Sequence, residues 1–259
     1  MTEKDLIYRV ERQVATITIN RAAMRNAITP EAVELFHAAL DQAQADADAR
    51  VVCITGAGDK AFCSGADLGG GMQDDEVDRR GHFDSYARLI SRLADFSKPT
   101  VARVNGHCLA GGTGFMLACD IVVAKASAQF GTPEVNVGLF PMMIGALIFR
   151  NVPRKKAMEM ILLGQRLTAV QALSMGLVTR VVPDADFDAE VDRVLADLAA
   201  KSPIGLTLGK TAFAAAEQMP LAEAVRFLGR QLAAVAGTQD AREGITAFLE
   251  KRPPQFKGE

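Results

Sequence analysis

The stretch VARVNGHCLAGGTGFMLACDIVVA, residues 101–124, decides the fold class. It opens in a short apolar run, KPTVARV, of the kind that forms a strand buried on both faces. NGHCLAGG turns the chain, and GTGFMLACDIVVA reads as a helix running into a further strand. Upstream, VVCITGAG at 51–58 is another buried strand ended by glycine. Strands alternating with helices in this way argue for an α/β core. Thr29-Pro30-Glu31 supplies an N-cap, a proline at the first helical position and an early acid. The helix that follows, to about Asp46, keeps Val33, Phe36 and Leu40 on one face. Before it, IYRVERQVATITIN alternates β-branched residues and breaks near Glu11 and Arg12, which predicts a hairpin, and NRAAMRN forms a polar loop.

Residues 69–80, GGGMQDDEVDRR, read as a mobile surface loop leading into a helix through Leu93. Beyond Pro141 the apolar periodicity is helical to the end, interrupted by the strand LVTRVVP at 177–183. The expected organisation is an α/β core over 1–184 and a C-terminal helical subdomain over 185–259.

The chain has 259 residues, 49% hydrophobic and 23% charged, a balance that supports a globular core. A net charge of −2 gives no argument for nucleic acid or an anionic membrane as partner. Cys53, Cys63, Cys108 and Cys119 form no C-x-x-C pair, and three lie in apolar stretches, so buried thiols in a reducing compartment are expected. The start of the chain is charged from its third residue and lacks the apolar segment of a secretory signal. The apolar run in PMMIGALIF is too short to cross a bilayer. A cytoplasmic protein is expected.

Two glycine-rich turns follow buried strands: AFCSGADL at 61–68 and NGHCLAGGTGF at 105–115. Backbone N–H groups at such turns and at a helix start lack internal partners. Together the two loops could cradle a carbonyl oxygen whose negative charge grows during reaction. Equally, glycines of this kind simply turn a chain, and the loops alone leave both readings open. A phosphate loop has no support, because GLTLGKT is one residue short, and G-x-G-x-x-G after a strand is absent. Glu134, in AQFGTPEVNVGLFP, stands among Phe130, Val135, Val137 and Leu139. A carboxylate in apolar surroundings has its pKa raised toward the range useful for proton transfer, whereas a solvated or ion-paired glutamate would not.

In their order and spacing, SGADL, NGHCLAGGTGFMLACDIVVA, FGTPEVNVGLFP, NRAAMRNAIT, LLGQRLTAVQALSMGLVTRVVP and ITAFLEKRPPQF resemble the enoyl-CoA hydratase/isomerase (crotonase) family over nearly the whole chain. The resemblance implies a crotonase-like ββα superhelix core followed by a helical trimerisation subdomain. It implies an enzyme acting on acyl-CoA thioesters, with coenzyme A as part of the substrate and no separate cofactor. The N–H groups of Ala66 and Gly111 would hold the thioester oxygen, and Glu134 would move a proton. Arg25, Ala27, Ser64, Ala66, Asp67, Leu68 and Lys251 fall at positions that contact coenzyme A, Lys251 often from a neighbouring subunit. Arg25 and Lys251 also read as ordinary surface charges, and Asp67 as a residue that fixes its loop. Relatives form trimers, commonly paired into hexamers.

This sequence departs from the pattern at one point. A typical hydratase carries a second glutamate three residues after the second oxyanion glycine, where this chain has Gly114. Losing one positioned acid/base group typically costs about 10²–10⁴ in rate. A single base can still shift a double bond from the 3,4 to the 2,3 position, as relatives with one glutamate do. The expectation is therefore an isomerase or a reduced-site hydratase, with a lyase, a thioesterase or a non-catalytic acyl-CoA-binding protein as alternatives. The dienoyl-CoA isomerase branch, with an aspartate eight residues after the glutamate, is disfavoured by Met142. Met142, Met143 and Ile144 read as acyl-pocket wall or core. His107 is expected to bond a backbone carbonyl, and His37 and His82 lie on a surface helix and in the mobile region. Asp74, Asp75 and Glu76 form a charge run bordering the acyl pocket in relatives. No histidines are paired at metal-ligand spacing, so no metal site is expected. The helix EAVELFHAALDQAQADADA carries acids and no lysine, against RNA binding.

Overall fold

The computed structural model describes residues 5–67 and 76–259. Strands β1 (Leu6–Glu11) and β2 (Val14–Ile19) form the expected hairpin, pairing Glu11 with Val14. Its two-residue turn is Arg12 and Gln13, both at positive φ, the mirror-image turn geometry that matches strand twist. β3 (Val51–Gly56), β5 (Thr100–Val104), β7 (Ile121–Lys125) and β10 (Arg180–Val182) extend the sheet in parallel, in the order β1-β2-β3-β5-β7-β10.

Both faces of this sheet are buried. Val52, Ile54, Ala102 and Val104 face the main core with Phe36 of α1 (Pro30–Ala45) and Leu89 of α2 (Glu76–Ala94). Val51, Cys53, Val101 and Val123 face the other way, onto Phe187, Val191 and Val194 of α7 (Phe187–Ala199). Period-2 alternation of apolar residues on both sides is what made these runs continuous in sequence. The N-cap of α1 is as expected, with Ala32 N donating to Thr29 Oγ1 at 3.1 Å.

A second sheet takes two of its strands from the segments read as glycine turns. It orders β4 (Ala61–Cys63), β6 (His107–Leu109), β8 (Gln129–Gly131) and β9 (Leu167–Thr168), the first three parallel. Each is only two or three residues long. Asn105, fully buried before β6, joins the sheets by donating to Gly56 O and Gly58 O at 2.9 and 2.7 Å. Between β6 and β7 lies α3 (Gly111–Leu117). The helices α4 (Met142–Asn151), α5 (Arg154–Leu163) and α6 (Ala169–Ser174) continue the chain to β10.

The helical segment expected from 185 opens with α7, which packs on the first sheet. The helices beyond it are α8 (Pro203–Ala216), α9 (Leu221–Ala236) and α10 (Gln239–Leu249). They leave Phe213, Leu221, Val225, Leu232 and Phe248 exposed, and α9 buries no residue. No helix among the described residues is long and apolar enough to cross a membrane.

Candidate active site

Parallel pairing of β4, β6 and β8 sends their carboxyl ends to one edge. In open α/β sheets that edge is where ligands bind. Three segments leave it together: residues 64–67, residues 110–111, and the 3-10 turn Pro133–Val137 that carries Glu134. The register Cys63↔Cys108 and Leu109↔Gly131 fixes their relative heights.

The first two loops touch. Gly65 has φ +101, and a Cβ there would lie 2.7 Å from Ala110 Cβ and 3.1 Å from Gly111 N. Only glycine permits both the conformation and the approach. Ala110 itself holds φ 50 and ψ −130, outside the regions an alanine prefers. Such a residue stores about 1–3 kcal/mol, which the surrounding structure must offset, and it sets the peptide plane that carries the Gly111 N–H. The N–H groups of Ala66 and Gly111 have no acceptor among the described residues.

Residues 64–67 are fixed from the other side by the 25–28 segment. Ile28 N donates to Gly65 O and Asp67 N to Ile28 O, both at 2.8 Å. Arg21 Nη1 donates to the Ala27 carbonyl at 2.7 Å and to Asp67 Oδ2 at 2.9 Å, and its Nε lies 3.2 Å from Asp5. Asp67 thus serves to hold its loop, through an arginine distant in sequence. Asn26 is fully buried, donating to Ala57 O and Ala61 O at 3.0 and 2.7 Å. Arg25, Ala27, Ser64, Ala66 and Asp67 are therefore brought to one place, with Arg25 exposed. Leu68, Asp74 and Asp75 lie outside the described residues, as does the side chain of Glu76 and the part of the expected mobile loop before α2. Lys251 is exposed beyond α10, and no contact among the described residues joins it to these loops.

Glu134 is half-buried, and its Oε2 is enclosed with no hydrogen-bond partner among the described residues. Burial pushes its carboxyl above the ordinary glutamate value, with its own backbone N–H pulling partly back. Of the apolar neighbours expected from sequence, Phe130 is buried and Val135 half-buried, whereas Val137 and Leu139 are exposed. Val137 rides the outer side of the turn, while the Glu134 Oε2 is enclosed.

Tyr86, on α2, gave no signal in the sequence reading. Its hydroxyl donates to Gly111 O at 2.5 Å, and its ring meets Phe115 edge-on, centroids 5.4 Å apart. Burial holds its phenol well above the usual value, and the nearby Glu134 carboxylate adds to the shift. A Cβ on Gly114 would lie 2.5 Å from Ile144 Cγ2, 2.6 Å from Ile90 Cδ1 and 3.1 Å from the Tyr86 hydroxyl. The space beside Gly114 is occupied by these three side chains.

Residues 9–259 match the Enoyl-CoA hydratase/isomerase family. The chain belongs to that family. It is 36% identical over 256 residues to the 2,3-dehydroadipyl-CoA hydratase of Escherichia coli, covering 98% of this chain and 99% of that one. It is 31% identical over 251 residues to the (E)-benzylidenesuccinyl-CoA hydratase of Thauera aromatica, covering 96% and 97%. The crystal structure of an enoyl-CoA hydratase from Bacillus anthracis superposes with a TM-score of 0.94 at 31% identity, covering 99% of this chain and all of that one. The fold is the crotonase fold, as the resemblance implied, and the protein is an enzyme of the enoyl-CoA hydratase/isomerase family acting on acyl-CoA.

Within this family member two expectations need correction. His107 does not bond a backbone carbonyl: its Nδ1 accepts from Gln129 N at 3.2 Å, so the proton of the neutral ring sits on Nε2. Burial, then Arg166 and Arg25, push its pKa down, which keeps it neutral. It is His37 that meets a backbone carbonyl, that of Ser85, at 3.2 Å. Met142, Met143 and Ile144 also part company. Met142 is exposed, Ile144 is core, and Met143 lines a cleft of about 1140 Å³ between α2, α4 and α8.

Proposed function

We propose that the protein moves a proton at the α-carbon of an enoyl-CoA, with Glu134 as the single carboxylate and the N–H groups of Ala66 and Gly111 as donors to the thioester oxygen. The observation that carries this reading is the convergence of the three strand ends, which gathers two N–H groups and one carboxylate oxygen without partners among the described residues. When Glu134 removes the α-proton, the electron pair passes to the thioester oxygen as an enolate. A fixed donor aimed at such an oxygen is typically worth about 10²–10³ in rate.

From a 3-enoyl-CoA, returning the proton to the γ-carbon completes an isomerisation with one carboxylate. Hydration of a 2-enoyl-CoA passes through the same enolate, and it is favoured by the names of the Escherichia coli and Thauera aromatica relatives. Lyase or thioesterase chemistry would use the same donors. A role in binding alone is opposed by Glu134, because a neutral residue would fill a desolvated position at lower cost. Arg25, Ala27, Ser64 and Asp67 border the coenzyme A end, Lys251 reaches it from a neighbouring subunit, and coenzyme A enters only as part of the substrate. Exposed Phe213, Leu232 and Phe248 support a homotrimer or a dimer of trimers. Four buried free thiols support a reducing, cytoplasmic setting.

The test is incubation with a 3-enoyl-CoA and, separately, a 2-enoyl-CoA, following products by mass and chromatography. Double-bond shift in the first or water gain in the second, each lost in Glu134→Gln, is the expected result. Binding without either reaction would contradict it.

A further inference from the structure

Position 114, where a typical hydratase carries its second glutamate, is glycine here, yet the described surroundings of Gly114 are not purely apolar. Of the three nearest atoms there, the polar one is the hydroxyl oxygen of Tyr86, 3.1 Å from where a side chain at 114 would begin. The same oxygen is 2.5 Å from the carbonyl of Gly111, whose N–H is one of the two free donors. Its ring is locked between elements: edge-on to Phe115, which stacks on Phe36 with centroids 5.3 Å apart. A group fixed this well can hold a reactant in one orientation.

We propose that the Tyr86 hydroxyl is the second polar group of this site and orients the water that adds to the β-carbon of a 2-enoyl-CoA. The inference rests on the role given above to Glu134. With its proton committed to the Gly111 carbonyl, the phenol presents lone pairs and accepts a hydrogen bond from water. It is held neutral by burial, so it orients and does not act as base. In the step, the water oxygen bonds the β-carbon and the proton it releases goes to Glu134. The double-bond electrons move to the thioester oxygen as the enolate. Glu134 then returns that proton to the α-carbon, so one water is consumed and the carboxylate is regenerated. A single carboxylate can thereby serve both proton transfers, provided another group fixes the water.

The test compares the wild-type protein with Tyr86→Phe in two assays. One follows hydration of 2-butenoyl-CoA, and the other follows exchange of the α-protons of butanoyl-CoA in deuterated water, which needs Glu134 and the oxyanion donors but no water addition. Tyr86→Phe should lower the hydration kcat by about 10²-fold, with KM little changed and α-proton exchange retained. The ring is kept, and retained exchange itself reports an intact fold. An equal fall in both assays would mean that Tyr86 only positions Gly111, and unchanged hydration would mean that it holds no water. A wild-type protein that exchanges protons and isomerises but never hydrates would also overturn the proposal, leaving the Glu134 reading intact. Absence of exchange in the wild type would overturn that reading as well.

Discussion

The Arg21 guanidinium reaches the Asp67 carboxylate at 2.9 Å, with both side chains more than four-fifths shielded from solvent. The same guanidinium nitrogen holds the Ala27 carbonyl, so one side chain ties the 25–28 segment to the loop that carries Ala66. Removing one partner of a shielded, hydrogen-bonded charge pair costs more than the pair contributes, because the other charge is left unpaired. Arg21→Ala should lose about 2–4 kcal/mol of stability in urea unfolding and should weaken acyl-CoA binding. Arg21→Lys keeps the charge without the planar fork and should recover only part of both. Equal stability of Arg21→Ala and wild type would show that the tie is not needed.

Gly114 cannot be turned back into the glutamate of a two-carboxylate site by substitution alone. A methyl group there meets Ile144 and Ile90 at 2.5 and 2.6 Å. Overpacking of this kind costs about 1–3 kcal/mol, whereas replacing glycine by alanine in a helix gains at most about 1 kcal/mol. Gly114→Ala should therefore be less stable than wild type by denaturant midpoint, and Gly114→Glu less stable still with no gain in hydration rate. A stable, faster Gly114→Glu enzyme would show that Ile144, Ile90 and Tyr86 yield readily.

Much of the fold was legible because burial writes itself into the sequence. Val51–Gly56 and Thr100–Val104 are buried on both faces, which makes apolar runs, and Thr29 with Pro30 marks a helix start by local chemistry alone. The second sheet was not legible. Strands as short as Ala61–Cys63 and His107–Leu109 complete hardly one period of alternation, and their glycines read as turns. The parallel pairing of β6 and β8, which brings Gln129 N to His107 Nδ1, spans 22 residues and leaves no local trace. Glu134, Ala66 and Gly111 are proposed through the family's pattern of motifs, which spans several separate segments. Arg21 and Tyr86 were missed because their partners lie 46 and 25 residues away. The one local hint for Tyr86 is its spacing from Ile90, which places the two on one face of α2.

The desolvated state of Glu134 has a stability signature with a definite sign. Its folded-state pKa lies above the unfolded value of 4.5, so the folded protein binds more protons in that window. Stability contributed at this residue is greatest below the unfolded pKa and is lost as pH rises through the folded pKa. Glu134→Gln, which carries no charge, should match wild type in acid and exceed it in stability at neutral pH. Melting curves across pH read this directly. A Glu134→Gln protein less stable than wild type at neutral pH would mean that the carboxylate is favourably paired.

The exposed apolar faces of α9 and α10 should be covered by further copies of the chain. Sedimentation equilibrium is expected to give the mass of a trimer or a hexamer, and Leu232→Asp with Phe248→Asp should shift it toward the monomer. A wild-type monomer at micromolar concentration would leave these side chains in water and contradict the assignment.

In the proposed mechanism Glu134 performs the proton transfer on a thioester held by the two loops. The most direct measurement pairs binding and turnover of one enoyl-CoA substrate in wild type and Glu134→Gln. Substrate binding should be retained while kcat falls by about 10²–10⁴, the loss typical of removing a positioned acid/base group. Equal kcat in the two proteins would place the chemistry elsewhere and contradict the account.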